Sequence, residues 1–226
     1  MKTLNNSLLA VALFLLLSNC SNDEVVPTPT PTPTLQKNII AKYPLASDGV
    51  DVTGNNSPMA LTNTPFEKGG IYCNGKYLYS ADPDFCVAQS PLIKNFNLQS
   101  FSVSMEFYVS ERINQPAWII GTGCRWLGFY LEANGTVSLL YNNANYVRTT
   151  KQYALNEWQK AEIKYDGTTV EMLLNDEVAC SVKFGNGYVT LDYSVCGVDT
   201  EIGVTNYSNG QVLKGFVKNL EVYSLE

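Results

Sequence analysis

The chain has 226 residues, a net charge of −6 and no histidine. An acidic balance with a pI near 4.7 argues against a nucleic-acid backbone as partner. The missing histidine removes the commonest general base, triad member and zinc ligand. Charged residues are only 16% of the chain, so the surface is expected to be built from Asn, Ser, Thr and Tyr rather than ion pairs.

Residues 1–19 read as an export signal. Lys2 supplies a basic start, and Leu8 to Leu17 form an apolar run too short to span a bilayer comfortably. The run ends Leu17-Ser18-Asn19-Cys20, which resembles a bacterial lipobox. That resemblance implies cleavage before Cys20, acylation of its sulfur and anchoring in outer-membrane lipid; the alternative is an ordinary signal peptide with an incidental cysteine. Several acyl chains give stable anchoring, at ~0.8 kcal/mol per buried methylene. Ser21-Asn22-Asp23-Glu24 follows. It resembles the surface-export signal of Bacteroidetes lipoproteins, and reads otherwise as a solvated acidic linker. Residues 20–37 complete a stalk in which Pro27, Pro29, Pro31 and Pro33 alternate with threonine. Proline at every second position forbids sheet pairing and favours polyproline II, so residues 27–34 are expected to span roughly 25 Å.

Residues 38–226 read as one β domain. Strands are expected at Ile39 to Leu45, Ala60 to Asn63, Gly69 to Tyr72, Tyr77 to Tyr79, Phe101 to Val109, Ala117 to Ile120, Trp126 to Leu131 and Val137 to Tyr141. In the longest, Phe101, Val103, Met105, Phe107 and Val109 alternate with Ser102, Ser104, Glu106 and Tyr108, the period of a half-buried strand. Leu155-Asn156-Glu157-Trp158 opens a hairpin that turns at Asp166-Gly167, a pair suited to positive φ angles, and ends at Asn175-Asp176. Its outward Glu162, Lys164 and Glu171 read as solvated charge. Further strands are expected at Tyr188 to Leu191, Glu201 to Val204 and Phe216 to Tyr223. At least ten short strands with no long 3.6-residue periodicity predict an all-β sandwich.

Tyr43-Pro44-Leu45, Phe101-Ser102-Val103-Ser104, Leu155-Asn156-Glu157-Trp158, Tyr165-Asp166-Gly167 and Gly215 to Tyr223 occur in that order. Together they resemble the concanavalin A-like lectin and glucanase superfamily, in particular its laminin-G-like jelly rolls. The resemblance implies two antiparallel sheets packed face to face. It leaves function open, because the fold hosts lectins, glycosidases, adhesins and structural modules.

Besides Cys20 the chain carries Cys73, Cys86, Cys124, Cys180 and Cys196. Short local loops favour Cys73–Cys86 and Cys180–Cys196 as disulfides in an oxidising compartment; the alternative is that all five are buried small apolar residues. Glucanases of this fold carry an acid-x-acid-x-x-acid strand whose carboxylates do retaining chemistry. No such pattern occurs, and no catalytic residue is expected. Asp48 and Asp51, with Asn55 and Asn56, make an oxygen-rich loop that would suit a structural calcium ion, though the same residues dominate turns. Sugar binding fits the residues better. If Leu127, Phe129 and Leu131 face inward, Trp126 and Tyr130 face out; Tyr146, Arg148, Glu106 and Tyr108 follow by the same alternation. Flat aromatic faces with a few polar groups, here including Asn142, Asn143 and Asn145, suit a glycan. Trp118 and Trp158 are assigned to the core or its edge. The expected function is non-catalytic glycan binding at the cell surface. A surface protein partner, as for an adhesin or assembly component, is the alternative, and a hydrolase comes third.

Overall fold

The computed structural model describes residues 36–74, 87–90, 100–114, 116–122, 127–141, 145–183, 200–202 and 213–226. Among these residues there is no helix. The strands are β1 (Lys37–Tyr43), β2 (Ala60–Thr62), β3 (Phe66–Glu67), β4 (Gly70–Asn74), β5 (Val87–Ser90), β6 (Phe101–Val109), β7 (Ala117–Thr122), β8 (Leu127–Leu131), β9 (Thr136–Tyr141), β10 (Asn145–Gln152), β11 (Trp158–Tyr165), β12 (Thr169–Leu174), β13 (Glu177–Lys183), β14 (Thr200–Ile202) and β15 (Lys214–Leu225).

They form two antiparallel sheets. The eight-stranded sheet runs β13-β12-β11-β6-β15-β4-β3, with β1 also on β15; the seven-stranded sheet runs β10-β9-β8-β7-β14-β5-β2. This is the expected jelly-roll sandwich. One edge of β15 is shared: Lys214 to Val217 pair with β4, and Leu220 to Leu225 pair with β1. The changeover sits at Asn219, which adopts φ 53° and donates its N–H to Pro44 O at 2.9 Å.

The inward residues of β6 behave as their alternation requires. Phe101, Val103, Met105, Phe107 and Val109 join Leu127, Phe129, Leu131, Val137 and Leu139 of the facing sheet in one buried cluster. Phe107 and Phe129 meet across the interface with ring centroids 6.1 Å apart. Apolar burial between two sheet faces is the main stabilising contribution in this architecture, at ~25 cal/mol per Å².

The hairpin β11–β12 forms with the expected apolar face, Ile163 lying opposite Met172 and Tyr165 opposite Val170. Its turn differs in one detail: of Asp166 and Gly167 only the glycine takes positive φ, at 95°. Asp166 instead accepts hydrogen bonds from Thr168 and Thr169 N–H. Glu162 departs further from expectation. It faces outward but is only 2% exposed. Ser102 donates to it at 2.6 Å, and Lys37, Lys160 and Lys164 lie 3.1, 3.3 and 3.8 Å away. Alternation assigns a residue to a face; it does not say that lysines from two strands will close over it.

The loop after β1 is pinned by Asp51, which is 3% exposed. Its Oδ1 accepts from the backbone N–H groups of Lys42 and Thr53. Its Oδ2 accepts from the Thr53 hydroxyl and from the backbone and side-chain N–H of Asn56. Burial pushes the carboxyl pKa up, but the bonds from Thr53, Lys42 and Asn56 outweigh this and hold it below the ordinary value.

Candidate functional site

Strands β7 to β10 form a meander whose inner side chains are committed to the core. Their outer face carries two cross-strand rows. Register places Arg148 opposite Ser138, Ser138 opposite Tyr130 and Tyr130 opposite Trp118. The next row is Tyr146, Leu140, Gly128 and Gly121.

Trp118 belongs to this outer face because β7 carries a register shift between Trp118 and Ile120. The shift sends Ile119 and Ile120 together into the core and leaves Trp118 outside with Tyr130 and Leu140 as a second buried cluster. A bulge reverses parity beyond it, so Trp118 is buried as expected, but against the outside of its sheet rather than between the two sheets. Its ring lies over Gly128, where an added Cβ would come 2.3 Å from Trp118 Cζ3. Only glycine gives that ring its seat.

The rings continue outward. Trp118 and Tyr130 have centroids 4.2 Å apart, and Tyr130 meets Tyr146 edge-on at 5.5 Å. Tyr130 is 2% exposed and Tyr146 47%. So Tyr130, expected as an exposed contact, is a buried support, and Tyr146 presents the open face. Arg148 is exposed two residues further on. Glu132 stands beside them with its carboxylate receiving the hydroxyl of Ser138, a fully buried serine. Sequence reasoning missed Glu132; its position two residues after Tyr130, just past the end of β8, was the available signal. The indole N–H of Trp118 is buried and meets no acceptor among the described residues. Trp126, Asn142 and Asn143 lie outside the described residues.

Glu106 and Tyr108 do not join this site. They sit on β6, in the other sheet, and face out on the opposite side of the sandwich. There register builds an aromatic row, Tyr72–Phe216–Tyr108–Trp158. Trp158 is therefore also an outer-face residue. Lys68 stands 4.2 Å from the Tyr108 ring and Lys218 4.1 Å from that of Trp158. Glu106 is bound to Lys218 at 3.2 Å and accepts from Asn219 Nδ2 at 2.6 Å. The Tyr108 hydroxyl donates to Asn156 Oδ1 at 3.2 Å. Internal partners already hold both side chains. One expected site thus divides between two faces, because alternation gives the face of a strand and not the sheet that the strand enters.

The calcium candidates fare differently. The oxygens of Asp51 already accept five hydrogen bonds, so a metal would have to displace the donors that shape the loop. Asp48 accepts the N–H of Val50 in a local turn. Among the described residues no three His, Cys, Asp or Glu side chains group as a metal site. Cys73 is buried, and its expected partner Cys86 lies outside the described residues, as does Cys196. Cys180 is a half-buried free thiol whose pKa burial pushes up to about 11, which keeps it protonated and unreactive at neutral pH.

No protein-family model and no curated protein matches the chain. Solved structures do. Domain 4 of AbnA, a GH43 extracellular arabinanase from Geobacillus stearothermophilus in complex with arabinotriose, is similar at TM-score 0.61 and 15% identity, over 84% of this chain and 94% of that one. Trypanosoma rangeli sialidase in complex with the inhibitor DANA gives 0.61 and 15%, over 82% of this chain but only 30% of the sialidase. The binding domain of botulinum neurotoxin serotype D gives 0.61 and 15%, over 83% of this chain and 48% of that one. At such identities the likeness is one of fold: the chain is a two-sheet β-sandwich of the jelly-roll type.

Proposed function

We propose that this protein binds glycans without catalysis, through the outer face of β8, β9 and β10. One observation carries the reading: Tyr146 offers an open aromatic face that Tyr130 supports edge-on, with Arg148 and Glu132 as polar groups on the same side. A ring face stacks on the C–H side of a pyranose, and a few fixed polar groups read its hydroxyls. The similar AbnA domain in complex with arabinotriose supports the same ligand class. We further propose a laminin-G-like domain held at the surface of an outer membrane through acylated Cys20, as in Bacteroidetes-type lipoproteins.

Tyr146→Ala is expected to weaken glycan binding about tenfold, or ~1.4 kcal/mol, in titration against the best ligand from a glycan array. Tyr108→Ala, on the other sheet, is expected to leave affinity unchanged. Equal losses in both variants would remove the site from this face. Capture of a protein partner with no glycan bound would favour an adhesin. Cys20→Ala is expected to move the protein from the membrane to the soluble fraction on cell fractionation; unchanged sedimentation with membranes would argue against the lipid anchor.

A further inference from the structure

We infer that the ligand at Tyr146 is an acidic glycan whose sugar carboxylate is taken by Arg148; this rests on the glycan reading of the site. The lysines of β1, β11 and β15 all pair with carboxylates of this chain. Arg148 is exposed and pairs with no carboxylate among the described residues, in a protein of net charge −6. The nearby carboxylate of Glu132 is engaged by the buried hydroxyl of Ser138.

The backbone also departs from regularity here. Arg148 is opposite Ser138 and Gln152 opposite Thr136, so four steps along β10 match two along β9. Thr149 fills the gap, its hydroxyl donating to Val137 O at 2.8 Å. Such bulges re-aim side chains beside sites. Arg148 and Tyr146 lie two residues apart on one face, about 7 Å along the strand. A pyranose stacked on Tyr146 then directs an exocyclic carboxylate toward the guanidinium. The planar fork of arginine matches a carboxylate through two parallel hydrogen bonds, which a lysine cannot do. The ligand class is a uronate-containing oligosaccharide.

The test titrates the full chain with short oligogalacturonates and with their methyl esters, which keep the ring and lose the charge. The free acids are expected to bind at least tenfold tighter, and more so at low salt. Arg148→Gln is expected to abolish that difference by bringing the affinity of the acid down to that of the ester, and Arg148→Lys to restore only part of it. Equal affinity for acid and ester, with Tyr146→Ala still weakening both, overturns the inference and leaves the glycan reading standing. So does an acid preference that survives Arg148→Gln. Failure of both forms to bind overturns this inference, and silence across a full glycan array overturns the glycan reading as well.

Discussion

Replacing Glu162 with alanine is expected to destabilise the fold by about 1–3 kcal/mol, the range for leaving a buried hydrogen-bonding partner unsatisfied, because the lysines it leaves behind stay open to solvent. The carboxylate is 2% exposed, and its removal leaves Lys37, Lys160 and Lys164 crowded without their shared counter-charge. It also strands the hydroxyl of Ser102, itself fully buried. Glu162→Gln keeps an acceptor for Ser102 and is expected to cost less. Urea midpoints at pH 7 measure both; a loss under ~1 kcal/mol for the alanine variant would mean the group behaves as a solvated surface pair.

The effect has a pH signature. Burial pushes the pKa of Glu162 up, but Ser102, Lys37, Lys160 and Lys164 together bring it below the ordinary 4.5. A lowered folded pKa means the unfolded chain binds the proton first as pH falls. The stabilisation is therefore complete above the unfolded value and is lost as pH drops through the folded one. Asp51 is held low as well and adds an acid limb of the same sign. The gap between Glu162→Ala and the parent protein is expected to narrow below pH ~4.

Phe107→Ala is the second large effect, at about 3–5 kcal/mol, and it should lack this pH signature. Phe107 is fully buried, and its ring meets Phe129 of the facing sheet, so truncation opens a cavity where the two sheets hold each other. Its loss should stay constant between pH 5 and 8, which separates packing from charge in one experiment. A cost below ~1.5 kcal/mol, the range of volume-conserving core changes, would mean that the sheets close over the gap.

Local pattern made the inward faces of β6, β11 and β12 legible, because a strand with one apolar face states its parity in every second residue. The turn chemistry at Asp166-Gly167 was legible in part: the glycine takes positive φ. What resisted reading was non-local. Nothing in Phe101 to Val109 says that β6 pairs with β11 and β15 rather than with β8, so Glu106 and Tyr108 were grouped with Tyr130 and Tyr146. Edge strands were hard for a related reason. β10 and β13 lack a clean apolar alternation, since one side of each has no strand neighbour within its sheet. The burial of Glu162 resisted reading too, because it depends on lysines arriving from β1 and along β11.

The pairing of β1 with the last half of β15 has a mechanical side. Gln36 and Glu226 exchange backbone hydrogen bonds of 2.8 and 3.0 Å, and the ladder then runs inward from Lys37–Leu225 to Tyr43–Leu220. A pull entering at Gln36 along the strand axis loads this ladder in shear, so its hydrogen bonds resist together. The same pull directed across the strand would peel them apart one by one. Under the proposed N-terminal attachment, tension lying in the plane of the eight-stranded sheet would leave the fold intact to higher force than tension across it.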